Sequence, residues 1–204
     1  MTKYLPVLAI AAAGALHAQS GELWGGAGAS ILVNNSIGSP IPGGNSNAVK
    51  LDDGFSANFR FTWNSSGNLG NEFQYVYNRS YLSDSTGLLL PQPGAAGMAI
   101  HQIGYNLLYY FNPPSESEKI RPFLTGGVDV DVFSAPKMAS FSGGSPRPAF
   151  NYGGGVKYRI SSLWAWRFDL RGYTGGKPDW SGVLQHQSGL LQQFEASVGL
   201  GFYF

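Results

Sequence analysis

The sequence predicts an all-β chain, an eight-stranded antiparallel up-and-down β-barrel that crosses a membrane. Three observations predict it: apolar and small or polar residues alternate along most of the chain, charged residues are scarce, and long and short connections take turns between the alternating segments. Charged residues make up 12 % of the 204 residues, about half the usual quarter, whereas aromatic residues reach 14 %. An ordinary soluble enzyme rarely combines so little charge with so many aromatics, and so much apolar surface argues against disorder.

The start of the chain predicts a secretory signal peptide. Lys3 supplies the positive charge, residues 7–16 form the apolar core, and Leu-His-Ala at 16–18 is a cleavage pattern of the small-residue kind. The apolar run is too short for a membrane anchor, and no stop-transfer charge follows it. We therefore divide the chain into a signal peptide, residues 1–18, and one barrel domain, residues 19–204.

The first four strands are predicted between residues 21 and 111. Segment 21–33 is rich in Gly and Ala and alternates least clearly. In segment 55–63, Phe, Ala and Trp hold the odd positions, with Ser, Asn, Arg and Thr between them. Segments 72–78 and 102–111 alternate in the same way, with tyrosines prominent on one parity. A period of two is that of a strand with one apolar and one polar face.

The last four strands are predicted at 124–132, 150–160, 164–171 and 194–204, and the final segment alternates over eleven residues. The eight alternating segments are 7 to 13 residues long, and most of them suit a tilted crossing of a bilayer, which takes about 9 to 11 residues.

The connections alternate in length. Those near 34–49, 82–96, 134–147 and 174–190 are long and rich in Gly, Ser, Asn and Pro, whereas those at 64–68, 112–119 and 161–162 are short. Transmembrane barrels have long loops outside and short turns in the periplasm, so both termini are predicted to be periplasmic.

Period two does not by itself say which face of the strands points into the barrel. A soluble, lipocalin-like barrel would turn the apolar face inward and cover its outside with Lys and Glu, but here charge is too sparse to solvate an outer wall. Three titratable residues break the apolar parity, namely Asp53, Arg79 and His101. All three fall near the outer ends of their strands, away from the midplane, where a charge costs about 2–4 kcal/mol. The apolar face is therefore predicted to contact lipid.

The polar parity carries charges of both signs in nearly equal number. Because buried charges are tolerated when they are paired, this balance predicts a salt-bridged network that plugs the interior rather than a set of solvated surface charges. For Asp129 and Asp131, which lie two apart on one strand, we expect ion pairs with interior Arg and Lys rather than a bound cation. The predicted network comprises Arg60, Glu72, Asp129, Asp131, Lys157, Arg159, Arg167, Asp169, Arg171 and Glu195, with Glu22 as a further acid.

Aromatic residues gather at strand ends, as expected of the two interfacial girdles of a membrane barrel. The predicted girdle residues are Trp63, Phe111, Trp164 and Phe204 at the short-turn end, and Phe133, Phe150 and Tyr173 at the long-connection end.

Three stretches of the chain carry a family resemblance: RPFLTGGVDVDVF at 121–133, FNYGGGVKYRISSLWAWRFDLRGY at 150–173 and the terminal FEASVGLGFYF at 194–204. With them the chain resembles the outer-membrane β-barrel family, the small eight-stranded barrels of the outer membrane protein A type. The resemblance implies a location in the outer membrane, in contact with its lipid and lipopolysaccharide. It also implies that Phe202 and Phe204, in an alternating last strand, form the signal read by the outer-membrane assembly machinery.

Chemistry-bearing residues are few. Cysteine is absent, which excludes a thiol nucleophile and a Cys-ligated zinc site, and a net charge of +1 gives no basic footprint for nucleic acid. Some small outer-membrane barrels are lipid A deacylases or acyltransferases, and His186-Gln187-Ser188 with Asp179 is superficially similar to their His and Ser groups. A loop rich in Gly and Gln fixes no such geometry, so a solvated histidine is the better interpretation. No catalytic, cofactor or metal site is predicted.

Three hypotheses of function follow. In the first and favoured one, the plugged barrel has a structural or surface-interaction role and presents four external loops, with 34–49 and 174–190 (with its Trp180) as the contact surfaces. The second is a narrow pore for small solutes, suggested by the Gly-rich lining. The third is a lipid-modifying enzyme that uses His186. The partner of the loops is not readable from the sequence.

Overall fold

The computed structural model describes residues 20–65, 67–90, 95–112, 119–136, 144–186 and 188–204, so the predicted signal peptide lies outside the described residues. The described chain forms eight long strands and two short ones. They are β1 (Ser20–Val33), β2 (Ser36–Ser39), β3 (Val49–Asn64), β4 (Leu69–Asp84), β5 (Ala95–Tyr110), β6 (Ile120–Ser134), β7 (Gly144–Arg159), β8 (Trp164–Gly176), β9 (Gln185–His186) and β10 (Leu190–Tyr203).

The eight long strands close into a barrel. Each pairs antiparallel with its neighbour, in the order β1, β3, β4, β5, β6, β7, β8, β10, and β10 returns to β1. The predicted fold, an eight-stranded antiparallel up-and-down barrel, is thus confirmed. In the described ranges, no helix is long and apolar enough to cross a membrane.

The barrel has two ends. The terminal end carries both ends of the barrel chain, the short turns 65–68 and 160–163, and the longer connection 111–119. The loop end carries the connections 34–48, 85–94, 135–143 and 177–189, of which the first contains β2 and the last β9.

The strands alternate between the lumen and the outer wall as the period of two predicts. On β8, for example, Phe168 and Leu170 are exposed on the outside, whereas Arg167, Asp169 and Arg171 are buried inside. The same division runs through the other strands, so the apolar parity forms the outer wall and most of the polar parity fills the lumen.

Toward the loop end several strands are longer than predicted, and β3 shows why. One extra residue between Asp52 and Phe55 makes a β-bulge opposite β4. Apolar side chains hold odd positions on both sides of it, but the bulge turns Val49 and Leu51 into the lumen while Phe55 stays on the outer wall. The lumen is apolar at this level, so the polarity of the two faces reverses and a search for one continuous apolar face stops near residue 55.

The loop end is closed over by its own connections. β2 pairs with β3 at the loop end of that strand and also with β9, which joins connection 34–48 to connection 177–189. A tight turn follows Trp180, whose carbonyl accepts from the backbone N–H groups of Val183 and Leu184. These contacts place two connections across the mouth of the barrel.

Candidate functional site

The middle of the lumen is crossed by arginine–carboxylate pairs. Glu72 of β4 accepts hydrogen bonds from Arg167 Nη1 at 2.5 Å and from Arg171 Nη2 at 2.7 Å. Both arginines also bind Asp169, through Arg167 Nε at 2.7 Å and Arg171 Nε at 3.2 Å. β4 and β8 stand on opposite sides of the ring of eight strands, so the pairs with Glu72 span the full width of the barrel.

Arg60 of β3 joins this group to β10. Its Nη2 lies 3.2 Å from Glu195 Oε1 and its Nη1 lies 3.5 Å from Asp169 Oδ2. Glu195 also accepts from Asn58 Nδ2 at 3.1 Å. All the charged members are buried, which leaves each dependent on its partners. We call this set the central network; it consists of Arg60, Glu72, Arg167, Asp169, Arg171 and Glu195.

A second charged group lies nearer the terminal end. Lys157 Nζ binds Glu22, and it also donates to Tyr110 Oη at 2.7 Å. Glu22 further accepts from Asn64 Nδ2 at 2.6 Å and from Trp24 Nε1 at 2.9 Å, so both oxygens of this buried carboxylate accept hydrogen bonds. The sequence predicts Lys157 in the interior network, and its partner Glu22 is the further acid that was predicted beside that network.

Arg159 lies outside these groups. It is half-buried at the terminal end of β7, with its guanidinium 4.9 Å from the centre of the Tyr203 ring. In the described part of the chain it has no carboxylate within 4.0 Å. Its role is cation–π stacking at the terminal end of the barrel rather than ion pairing inside the lumen.

Asp129 and Asp131 are buried in the lumen but contact amides instead of cations. Asp129 accepts from Gln74 Nε2 at 2.7 Å and from Asn151 Nδ2 at 2.5 Å, and Asp131 accepts from Gln102 Nε2 at 3.2 Å. The expectation that these two acids pair with interior Arg and Lys is therefore wrong for the described residues. Within those residues there is also no cluster of three or more His, Asp or Glu side chains that could hold a metal ion.

Above this level the lumen is apolar. Buried residues of the wall meet residues of the connections there, and Phe133 and Trp180 are the largest of them. We call this set the apolar cap; its members are Leu32, Ile37, Ala48, Val49, Leu51, Leu82, Met98, Ile100, Phe133, Trp180, Leu184 and Leu191. The sequence interpretation missed the cap. The available signal was the pair of polar residues Lys50 and Asp52 on the outward face, interleaved with Val49 and Leu51.

Trp180 and two predicted girdle residues lie inside the barrel instead of on its outer surface. Trp180, expected on the contact surface of its loop, is 7 % exposed and packs into the cap. Tyr173 is 1 % exposed and Phe133 is fully buried, so their assignment to the aromatic girdle at the loop end is wrong. Parity gives the reason, because Tyr173 shares the inward face of Arg171, and Phe133 that of Asp131.

At the terminal end the outer wall carries the predicted aromatics. Trp164 packs edge-on against Phe202 at 5.4 Å between ring centres, and Phe202 stacks on Phe204 at 6.4 Å. Trp63 contacts Phe61 and Tyr105, and Phe111 contacts Tyr109. At the loop end Phe150 is exposed on the outer wall.

The three titratable residues of the apolar parity also lie on the outside, toward the loop end. Arg79 and Asp53 are exposed, and Asp53 Oδ1 accepts from the Leu32 backbone N–H at 2.8 Å. His101 Nδ1 is hydrogen-bonded to Tyr75 Oη at 2.8 Å.

The residues once considered for catalysis do not form a described catalytic group. Asp179 Oδ2 lies 3.2 Å from Arg147 Nη2, and Asp179 Oδ1 accepts from the Ser181 backbone N–H at 3.0 Å. The backbone of His186 pairs with Gly38 across β2 and β9, while Gln187 is outside the described residues.

Solved structures share this architecture at low sequence identity. Neisserial surface protein A matches with a TM-score of 0.62 and 15 % identity over 91 % of this chain and 97 % of its own. The N-terminal β-barrel domain of Pseudomonas aeruginosa OprF matches with a TM-score of 0.52 and 13 % identity over 92 % and 98 %. The outer membrane protein AlkL, solved in lipid bilayers, matches with a TM-score of 0.54 and 15 % identity over 90 % of each chain. These likenesses show the fold.

Among curated proteins no significant sequence match is found. The family model described as the outer membrane protein beta-barrel domain matches residues 6–204, nearly the whole chain. With that match and the closed eight-stranded barrel together, the chain belongs to the outer membrane protein β-barrel domain family and is a protein of the outer membrane.

Proposed function

We propose that the chain is a non-enzymatic surface protein whose barrel is plugged and whose loop end faces the outside of the cell and binds a partner there. The observation that carries the proposal is the central network. A solute path along the lumen would pass between β4 and β8, where Arg167 and Arg171 both bind Glu72. Opening it would separate buried charges at a cost of several kcal/mol, so we expect no conductance.

The connections of the loop end support the interaction role. The pairing of β2 with β9 and the contact of Arg147 with Asp179 tie connections 34–48 and 177–189 to the barrel wall. The buried Trp180 anchors the second of them in the apolar cap. A surface that is already ordered loses less conformational entropy when it binds, which favours recognition by a folded loop platform.

The proposed orientation puts both termini in the periplasm. Its support is the asymmetry of the connections, because outer-membrane barrels keep short turns on the periplasmic side and long loops outside. For the partners we propose outer-membrane lipid, including lipopolysaccharide, along the outer wall and the assembly machinery at β10. Phe202, on the outward face of that strand, and Phe204, which follows its last residue and stacks on Phe202, support the second assignment.

Planar-bilayer recordings test the plug. The mature protein, refolded in detergent and shown to be folded by its shift in gel migration on boiling, should give no conductance steps in 1 M salt. Steps whose size scales with salt concentration would favour the narrow pore instead. Lipid A from cells that express the protein or its His186→Ala variant should have the same mass profile, and a profile that depends on His186 would favour the lipid-modifying enzyme.

Epitope insertion tests the orientation. The insertion point is between Gly43 and Gly44, where Gly43 is exposed and has a φ of 71° that fits a turn. The matched control is the same epitope between Ser161 and Ser162, in the exposed turn 160–163. Antibody should label intact cells only for the first insertion, and the second only after permeabilisation. The reverse result would overturn the proposed orientation.

A further inference from the structure

An exposed arginine stands on the lipid-facing wall. Arg79 of β4 has the outward parity of Phe73, Tyr75 and Tyr77. A charge on this face is unfavourable near the midplane of the membrane and is tolerated at its edges. The position of Arg79 along the strand therefore determines what it meets.

The height of Arg79 matches one edge of the membrane. Leu69, at the terminal end of the same strand, is exposed on the same face, ten residues away. At the usual rise and tilt of a barrel strand, ten residues climb about 25 Å, which is about the height of the apolar band of such barrels. With Leu69 at the lower edge, Arg79 lies at the level of the lipid headgroups on the loop side.

A groove opens beside Arg79. It has a volume of about 490 Å³ and is lined by Arg79, by Gly97 and Ala99 of β5, and by residues 134–136 at the end of β6. The guanidinium of Arg79 lies across Gly97, where an added Cβ would be 2.1 Å from Nη2. Gly97 pairs with Tyr81, two residues closer to the loop end than Arg79, so the arginine reaches away from the apolar band.

The groove holds a cation without a protein counter-charge. In the described ranges, no carboxylate oxygen lies within 4.0 Å of the Arg79 guanidinium. Asp53, on the outer wall at this end, is bound to the Leu32 backbone N–H on the other side of β3. Asp52, which also faces outward, accepts a hydrogen bond from the Ser83 hydroxyl at 3.3 Å. A guanidinium at a headgroup level matches the geometry of a phosphate, which it binds through two parallel hydrogen bonds.

Below the groove, the outward face of β5 carries His101 and is apolar beyond it. Ile103 and Leu107 of β5 and Val128 and Val130 of β6 are all exposed there. A ligand that combines a phosphorylated headgroup with several acyl chains would satisfy both surfaces at once.

We propose that the Arg79 groove binds a phosphate of lipid A, the phosphorylated glycolipid anchor of the outer leaflet. Arg79 would bind the phosphate, Gly97 and Ala99 would leave room for the sugar, and the wall of β5 and β6 would carry acyl chains. The site rests on the proposed orientation for its leaflet, and the epitope experiment tests that orientation separately.

Native mass spectrometry of the refolded protein in detergent tests the site, with bisphosphorylated lipid A as the probe. Arg79→Gln should weaken retention of this lipid about tenfold, the loss expected for a charge-assisted hydrogen-bonded pair. Lys119→Gln, which removes an exposed positive charge at the terminal end, is the matched control and should leave retention unchanged. Gly97→Leu, which fills the groove and displaces the Arg79 guanidinium from its place across Gly97, should reduce retention as well.

Three results would overturn the proposal. The first is equal retention by the protein and its Arg79→Gln variant, when both show the same gel shift on boiling. The second is equal retention of lipid A that lacks both phosphates. The third is retention of phosphatidylglycerol with the same dependence on Arg79, which would assign the groove to phospholipid headgroups in general.

Discussion

The central network and the apolar cap fill the same lumen by opposite means. In the network, each buried charge has a partner on at least one other strand. Glu72, for example, forms ion pairs with two arginines of the opposite wall. In the cap, Leu82, Ile100 and Phe133 pack against one another and against residues of the connections. The side chains that fill the lumen thus change from charged to apolar along the barrel, while the strands of the wall stay continuous.

The two regions also differ in how strictly their interactions depend on direction. Hydrogen-bonded ion pairs require particular atoms at particular distances, so the central network fixes which strands face each other across the lumen. Apolar packing is non-directional and tolerates changes of similar volume. Such packing suits a region where connections of irregular shape must be accommodated, and the connections that carry β2, β9 and Trp180 meet the barrel there.

Breaking the central network should have the largest effect on stability. Glu72→Gln would leave Arg167 and Arg171 buried with half of their counter-charge removed, and we expect the free energy of unfolding to fall by about 3–5 kcal/mol. Urea-induced unfolding in lipid vesicles, followed by tryptophan fluorescence, measures it. A loss below about 1 kcal/mol would mean that Asp169 and Glu195 suffice to hold the arginines.

Breaking the apolar cap should cost somewhat less. Leu82→Ala removes a fully buried side chain from it, and we expect a loss of about 3 kcal/mol from transfer and cavity terms together. The matched control is Leu107→Ala, which shortens an exposed leucine of the outer wall and leaves no cavity in the lumen. If both variants unfolded at the same urea concentration, the cap would contribute nothing beyond general apolar burial.

Asp131 sharpens the comparison because it is a buried acid outside the network. Asp131→Asn keeps the shape of a side chain that contacts Gln102 and has no cation within 4.0 Å among the described residues. Removing an uncompensated charge from the lumen should change the free energy of unfolding by no more than about 1 kcal/mol, in either direction. The same urea experiment measures it. A loss as large as that of Glu72→Gln would show that an unseen partner compensates Asp131.

The sequence predicted the wall of this barrel better than its filling. Strict alternation at 164–171 and 194–204 identifies strands, their faces and most of the buried charges, because lipid and lumen impose opposite polarity on successive residues. Where the lumen becomes apolar, this contrast disappears. Tyr173 and Phe133 were assigned by their position near strand ends, although their parity already placed them inside.

The alternation of residues also did not predict which buried charges pair with each other. Parity puts Asp129 and Asp169 in the lumen alike, but only Asp169 meets arginines, whereas Asp129 meets Gln74 and Asn151. That choice depends on the stagger of strands around the ring, which brings β4 opposite β8 at a particular height. Alternation along single strands carries no information on stagger.

Asp84 extends the comparison to a carboxylate at the loop end, and its expected effect is the smallest. Burial raises the pKa of its carboxyl, but hydrogen bonds from the Thr86 hydroxyl and from the Leu89 and Thr86 backbone N–H groups outweigh burial, so the pKa lies below its ordinary value. Because the folded pKa is depressed, the stabilisation is complete above the ordinary pKa of about 4 and is lost as the pH falls through the folded value. Neutral hydrogen-bond donors thus stabilise the Asp84 carboxylate at the loop end, whereas arginines stabilise the Glu72 carboxylate at the centre of the barrel.

The measurement is the pH dependence of the Thr86 and Leu89 amide resonances in lipid nanodiscs. Both should move together with a midpoint below about 3.9, the ordinary value for aspartate. Asp84→Asn should abolish the movement at both amides while leaving the gel shift on boiling unchanged. A midpoint at or above 3.9 would mean that these donors do not hold the carboxylate, and that the turn after β4 is ordered by the packing of Leu89 against the apolar cap alone.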